Sequence, residues 1–543
     1  MSKTIELPTG KRTRLYRFFE ILPFFLSASM VVLLVVLSAI SPILSSAYLL
    51  IIVIMSLVKA VGIAFRTVQG YKVLQQGMRV NWVARLDDLE NPSESYDRLA
   101  GTHSDAYDYD MHLRNLCMMA AAEDGYFPKP SEIYHAVIVT LYNETLDVLI
   151  PTMESLIKSN YPKDRMIIVI AYEARGGAAA EEVANALRAR YADNFGAFLL
   201  AKHPDGIKNE VIGKGGNITN AGKMLKKYVK QVGLRYSDVI VTTLDCDNHP
   251  HPCYFSQVAY EYIVHEDRKR MSYQPISLFT NNIWDAPAVT RIVASTNSFW
   301  NVICSMRPHT LRNFASHSQS LDALVEMNFW SVRTIVEDGH QYWRSLFYFD
   351  GDYEVLSIRA PIYQDAVLSD TLFKTLKAQW VQLRRWDYGA SDVAYVGTYM
   401  FSEKRTVPMS ILFPKFLRLL DGHVTLAAVA PIIAFGGWVP LIFRFESRDL
   451  LSHNLPLVVS YIQTVAALGL FVSIILSMKM LPPRPRRYKK SKNIVMVFQW
   501  ALSPIISIVY SSFTAFYSQG RLAFGKYMEK FDVTDKAVKK EDT

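Results

Sequence analysis

Residues 241–255 read VTTLDCDNHPHPCYF and crowd Asp245, Cys246, Asp247, His249, His251 and Cys253 into one short stretch. Two metal chemistries compete for it. A zinc site would use the thiols and imidazoles, but no pair has the Cys-x2-Cys or His-x3-His spacing that wraps zinc, and Pro250 and Pro252 stiffen the backbone that would have to do so. Asp245 and Asp247 alternate with Cys246, so at the end of an extended strand both carboxylates face one side and the thiol the other. Two hard oxygen donors suit Mg2+ or Mn2+, ions that keep coordination positions for water and phosphate. The pattern therefore favours Asp245 and Asp247 as metal ligands, with Cys246 toward the core and His249 and His251 in the turn that follows.

Three further stretches carry polar groups in usable patterns. GKGGNITNAGK, residues 213–223, combines glycines with Lys214, Asn217 and Lys223; backbone N–H groups and a lysine can take phosphate oxygens, although a flexible turn has the same composition and the Walker spacing is missing. TIVEDGHQYWR places Glu337 and Asp338 at the start of a predicted helix, where acids are also electrostatically favourable without any catalytic role. AQWVQLRRWDYG sets Gln382, Arg385 and Trp386 on one helical face. An amide, a guanidinium and an indole so placed can hold a sugar ring and a diphosphate, and an amphipathic helix lying on a membrane would show the same face.

The elements that must position these groups are legible from His135 onward. HAVIVTLY, MIIVIAYE (166–173), AFLLAKH (197–203) and SDVIVTTLD (237–245) are short apolar runs rich in β-branched residues, separated by helical patterns such as TLDVLIPTMESLIKS and AAEEVANALRARYAD. Apolar strands alternating with helices predict an α/β, Rossmann-like domain with a parallel sheet covered on both faces. Ligands of such sheets bind beyond the carboxyl ends of the strands, which here are Asn143-Glu144, Glu173, His203 and Asp245-Asp247. The acidic stretch 83–110 shows little apolar periodicity and reads as a solvated linker.

On both sides of this domain the chain turns apolar. Half of the 543 residues are hydrophobic, and the mean hydropathy of +0.09 fits a protein part soluble and part membrane-embedded. Residues 21–58 contain no charge, far more than one ~30 Å crossing needs at ~1.5 Å per residue, and Ser41-Pro42 divides them into two predicted spans. Residues 424–443, 454–478 and 493–520 also lack Asp, Glu, Lys and Arg. Lys11, Arg12, Arg14 and Arg17 before the first span, Lys59, Arg66, Lys72 and Arg79 after the second, and PPRPRRYKKSK at 482–492 place the intervening domain in the cytosol by the positive-inside rule. The net charge of +9 is thus mostly juxtamembrane and points to anionic lipid, with no nucleic-acid partner. Cys117, Cys246, Cys253 and Cys304 are expected as reduced thiols. Three spans after the domain would put the basic C-terminal tail outside, so 493–520, split at Ser503-Pro504, is predicted to be a re-entrant or interfacial pair. PKFLRLLDGH, 414–423, is predicted to be an interfacial helix.

Taken in order, Thr140-Leu-Tyr-Asn143-Glu144, Asp245-Cys-Asp247, Val336-Glu337-Asp338 and Gln382-Leu-Arg-Arg385-Trp386, with Phe531-Asp-Val533-Thr534-Asp-Lys536 near the end, form a set. This set resembles the membrane-embedded family 2 glycosyltransferases of the cellulose, chitin and hyaluronan synthase type, with a GT-A catalytic domain, over roughly residues 130–540. The resemblance implies an inverting hexosyltransferase using a UDP-sugar donor, a Mg2+ or Mn2+ cofactor, and a growing polysaccharide or a lipid-linked acceptor at a plasma or inner membrane. It further implies that Asn143, Glu144 and Glu173 line the uridine pocket, that Asp245 and Asp247 approach the diphosphate, Asp247 through the metal, and that Asp338, beside Glu337, is the general base. Gln382, Arg385 and Trp386 would border acceptor and pyrophosphate, and Thr534 and Lys536 would close over the nucleotide. Val336 stands where many members have Thr, and the second strand ends in AYEARGG instead of an Asp-rich sequence. The expected organisation is a transmembrane hairpin at 1–66, a linker at 67–130, the GT-A domain at 131–410, the interfacial helix at 411–423, a second hairpin at 424–480, the basic loop at 481–492, and the re-entrant segment with a gating-loop-like tail at 493–543.

Overall fold

A computed structural model describes residues 5–443 and 450–530 of the chain. The four expected strands form at β1 Tyr134–Leu141, β2 Met166–Glu173, β3 Ala197–His203 and β4 Val239–Leu244. They pair in parallel in the order β3-β2-β1-β4. Every residue of β2 and of β4 is buried, which is why these segments read as unbroken apolar runs. Each fully buried Val, Ile or Leu side chain contributes roughly 1.5–3 kcal/mol, so the rim rests on a rigid platform.

The second half of the sheet was not foreseen. β5 His249–Pro250, β6 Met271–Leu278, β7 Ser318–Ser320 and β8 Glu354–Tyr363 extend it to eight strands in the order β3-β2-β1-β4-β7-β6-β8-β5. β7 pairs antiparallel to both β4 and β6, while β6 and β8 are parallel. The reason for the miss is polar sequence: β7 is Ser-Gln-Ser, and its groups are satisfied sideways, Ser318 Oγ with Thr242 Oγ1 at 2.7 Å and Gln319 Nε2 with the Tyr353 hydroxyl at 2.8 Å. Hydrogen bonding, not apolar patterning, holds the seam.

Helices flank the sheet on the membrane side. The first predicted pair is present as Arg14–Ile40 and Pro42–Met78, with Pro42 opening the second helix after the break at Ser41. The second helix continues well past the predicted hairpin. The acidic stretch expected to be a solvated linker instead forms helices Trp82–Asp88 and Pro92–Leu99 ahead of Tyr109–Ala121, with Trp82, Leu86 and Leu89 buried in the domain core. Their i, i+4, i+7 spacing is a helical stripe hidden among acids. Among the described residues five helices are long and apolar enough to cross a membrane: Arg14–Ile40, Pro42–Met78, Met409–Phe435, Asn454–Lys479 and Ser491–Ala523.

Two membrane expectations change. Residues 414–423 are not a separate interfacial helix; they are the first half of the continuous helix Met409–Phe435, which accommodates Pro414 internally. Nor does Ser503-Pro504 divide the last segment into a pair. Pro504 sits in the first turn of Ser503–Ile506, where its missing N–H costs nothing, and a π-helical stretch, Ser507–Ser512, carries the path on to Phe513–Ala523. Both ends of this segment are bonded to the sheet domain. Ahead of it the Trp284 indole donates to Pro482 O at 3.0 Å and Arg487 pairs with Asp285; near its far end Ser518 donates to the Arg384 carbonyl, and beyond it Met528 N donates to the Tyr388 hydroxyl.

Candidate active site

The helix Lys214–Gln231 begins at the rim, and its first residue organises the site. Lys214 Nζ lies 3.0 Å from Asp245 Oδ1, 3.2 Å from Asp338 Oδ2 and 3.9 Å from Glu337 Oε1. The side chain is buried, which disfavours its charge, but Asp245, Asp338 and Glu337 outweigh that and hold its pKa above the ordinary lysine value. Glu337 moves the other way for an acid. Burial, then the Asp338 charge, push it up to about 8, against the opposing pull of Lys214. Asp338 Oδ1 is buried and has no hydrogen-bond partner among the described residues, so one oxygen of that carboxylate is fixed by the lysine and the other is available to a donor.

The glycines after Lys214 belong to a helix start and not to a flexible turn. A Cβ at Gly215 would lie 2.3 Å from Ser331 O, and one at Gly216 would lie 1.5 Å from Glu210 Oε1. At Gly215 the clash is with backbone, so only glycine lets the helix approach the Ser331–Val336 loop; at Gly216 a side chain would displace the flexible Glu210, whose Oε1 lies 2.8 Å from His203 Nε2.

The β1 and β2 ends form the adjoining part of the rim. Glu144 Oε2 accepts from Tyr142 N at 2.8 Å and Asn143 N at 3.2 Å, which folds the turn back on itself. Glu173, opposite His203 in register, is buried and ion-paired with Arg175; burial raises its pKa and Arg175 opposes the shift. Asn217, one turn along from Lys214, donates to Ala171 O at 2.8 Å and ties this pocket to the lysine helix. Arg175, which also lies 5.0 Å from the Tyr142 ring centroid, was not anticipated.

Asp247 follows in the turn after β4. Its Oδ2 lies 3.4 Å from Asp365 N, and Asn281 Nδ2 donates to its carbonyl at 3.0 Å. Asp365 shares a narrow cavity with Phe279, Asn297, Gln379, Gln382 and Trp386. The helix Leu372–Asp387 therefore presents Gln382 and Trp386 beside the residues that hold Asp247, with Gln382 Oε1 accepting from Gln379 Nε2 at 3.1 Å and Trp386 at 6.0 Å from Phe279. Arg385 follows on the same helix. Asp365 and His317 carry no sequence signal: the first leaves a strand that was missed, and the second is a buried neutral imidazole on the loop before β7, its pKa lowered by burial.

The donor set fits a hard divalent ion and not zinc. Among the described residues no group of three or more His, Cys, Asp or Glu is placed to hold a metal. An ion at Asp245 and Asp247 would thus take its remaining oxygens from water and a ligand's phosphates, as Mg2+ and Mn2+ do. Lys214 already offsets charge on Asp245, leaving Asp247 the better placed of the two as ligand. Cys246 and Cys253 are buried, burial pushes the Cys253 thiol up to about 12, and its Sγ meets His251 Nδ1 at 3.0 Å; a thiolate for zinc is disfavoured.

Thr534 and Lys536 lie outside the described residues. The chain immediately before them is placed: Arg17 donates to the Leu522 and Ala523 carbonyls at 2.9 and 2.7 Å, and Lys530 bridges to Ile212, two residues before Lys214.

No family model matches the chain, and no curated protein matches its sequence. Solved structures do align with it. The mannosyltransferase PcManGT from Pyrobaculum calidifontis, in complex with GDP-Man and Mn2+, is 12% identical over 82% of this chain and 98% of its own, with a TM-score of 0.41. S. aureus TarS 1–349 in complex with UDP-GlcNAc is 11% identical over 73% of this chain and 93% of its own, TM-score 0.33. GalNAc-T7 with UDP, GalNAc and Mn2+ is 10% identical over 54% of this chain and 58% of its own, TM-score 0.31.

Proposed function

We propose that this protein is an inverting membrane glycosyltransferase with a GT-A type domain, moving a hexose from a UDP-sugar to a growing polysaccharide. The carrying observation is the cluster in which the buried Lys214 fixes one oxygen of Asp338 while the other has no partner among the described residues. A carboxylate held so is oriented to take a proton from an acceptor hydroxyl. Asp338 is the base, and the deprotonated oxygen attacks the anomeric carbon as the diphosphate departs from the opposite face. A base positioned this way contributes about 10²–10⁴ in rate.

Glu337, with its raised pKa, keeps a proton near neutrality and spares Asp338 a second neighbouring charge. Asn143, Glu144 and Glu173 receive the nucleoside. In this reading Gln382, Arg385 and Trp386 border the acceptor and the departing pyrophosphate. Asp247, assisted by Asp245, would hold Mg2+ or Mn2+, which supplies charge neutralisation to the diphosphate. Residues 525–530 run to Ile212 beside the lysine helix, which supports delivery of Thr534 and Lys536 to the nucleotide.

A second reading, single transfer to a lipid-linked acceptor, is favoured by one feature. An apolar groove of about 690 Å³ runs along the first span between Ile21 and Val36 and ends at Ala523-Phe524, a shape suited to a hydrocarbon chain. Supplying membranes with a panel of labelled UDP- and GDP-sugars and sizing the product separates the readings. A long polymer from one UDP-hexose supports the first, one sugar in the organic-extractable fraction supports the second, and no transfer from any donor refutes both.

A further inference from the structure

Residues 5–7, ahead of the first span, touch the base-bearing loop at two points and neighbouring helices at two more. Ser331 Oγ donates to Glu6 Oε1, Arg333 Nη1 donates to Leu7 O at 2.5 Å, the Tyr395 hydroxyl donates to Ile5 O at 2.7 Å, and Arg344 Nη2 lies 3.7 Å from Glu6 Oε2. Ile5 itself is buried in the apolar cluster that includes β1, β2 and β4 residues. These are contacts across more than 320 positions of sequence, and two of them, at Ser331 and Arg333, fall on the loop itself.

That loop, Ser331–Val336, has two faces. On one, the Ser331 carbonyl packs against Gly215 and the Val332 carbonyl accepts from Val211 N at 2.8 Å, so the loop bears directly on the start of the Lys214 helix. On the other lie Glu6 and Leu7. Its C-terminal end runs into Glu337 and Asp338. Ahead of it, Asn328 and Phe329 both adopt left-handed backbone, φ 56° and 63°, a conformation that costs a bulky residue of order 1–3 kcal/mol and persists only where surroundings enforce it. Here the enforcement is Arg344, which donates to Phe329 O at 2.7 Å and Met327 O at 3.2 Å. Arg344 is almost wholly buried; burial pulls its pKa down and Glu6 opposes that.

From this geometry we infer that Glu6 is a positioning residue for the reaction. Acting through Ser331 and Arg344, it sets the loop that holds Asp338 against Lys214, and residues 5–7 form a strap over the back of the site. The inference rests on the proposed role of Asp338 but makes its own structural claim.

The test uses the full chain in lipid nanodiscs and compares wild type, Glu6→Ala and Glu6→Gln. Turnover is followed by nucleoside diphosphate release, donor affinity by UDP titration with Mn2+, and loop order by amide hydrogen exchange over 331–338. Glu6→Ala should lower turnover about ten-fold, within the cost of ångström-scale misplacement of a reacting group, with UDP affinity unchanged and exchange at 331–338 increased. Glu6→Gln, which keeps the acceptor for Ser331, should recover most of the loss. Unchanged exchange at 331–338 in Glu6→Ala, or a lowered melting temperature with turnover intact, would overturn the inference. If the wild type releases no diphosphate from any nucleotide sugar, the transferase reading fails, and the exchange comparison still decides the strap.

Discussion

Two polar clusters share the rim, and they are built on opposite principles. Around Lys214 the groups are ionisable and tightly clustered: one buried ammonium lies among Asp245, Asp338 and Glu337, whose raised pKa favours its protonated form. On the helix Leu372–Asp387 the groups are an amide, a guanidinium and an indole, and the helix is held from behind through its backbone, by Ser518 on the Arg384 carbonyl and Tyr510 on the Leu376 carbonyl. The first cluster is an electrostatic device, sensitive to the loss of a single charge. The second is a shaped surface, sensitive to volume.

Removing the lysine is the sharpest way to break the first. Lys214→Met leaves the Asp245 and Asp338 carboxylates without their common cation, and stability should drop by about 3–5 kcal/mol, the cost of unpairing a buried charge, together with all transfer activity. Thermal unfolding in detergent reads the first effect. If Lys214→Met unfolds at the wild-type temperature, Lys214 does not offset the charge of the cluster as described.

Asp247→Asn should act on ligand and not on fold. UDP affinity in the presence of Mn2+ should weaken at least about ten-fold, as loss of metal-site donors typically costs, while affinity without metal stays the same. Calorimetric titration with and without Mn2+ distinguishes the two. Equal loss in both titrations would place Asp247 outside the metal site.

For the shaped surface, Trp386→Ala should raise the acceptor KM about ten-fold, equivalent to ~1.4 kcal/mol of lost stacking, with UDP binding untouched. Trp386→Phe should retain most of the affinity. A drop in UDP binding with either variant would move Trp386 from acceptor to donor.

A further effect is a pH dependence. Glu337 has a pKa of about 8 when folded against an ordinary 4.5, so the folded state binds its proton more tightly than the unfolded state does. The stability this contributes is full below about 4.5 and is lost as pH rises through about 8. Melting temperature should therefore decline across that window in the wild type and decline less in Glu337→Gln, which mimics the protonated acid. A decline of equal size in both would assign the titration elsewhere.

What the sequence discloses tracks how each element is stabilised. β1, β2 and β4 are legible because they are almost wholly buried and apolar, and Asp245, Asp247, Glu337 and Asp338 stand out as candidates because they follow a strand or open a helix. β7 was not, since Ser318, Gln319 and Ser320 rely on partners distant in sequence. Helix Trp82–Asp88 was hidden because acids mask its apolar stripe. Lys214 was visible as a residue type, but its pairing with Asp338, 124 positions away, exists only in three dimensions. The same holds for Asp365 and for Glu6, whose partners no local pattern announces.

The central claim is that Asp338 is the base of a transfer from a nucleotide sugar. Its most direct test is Asp338→Asn, comparing diphosphate release under saturating donor with UDP affinity in the same preparation. The account predicts release reduced by about 10²–10⁴-fold with UDP affinity retained. Near-normal release from Asp338→Asn would contradict it.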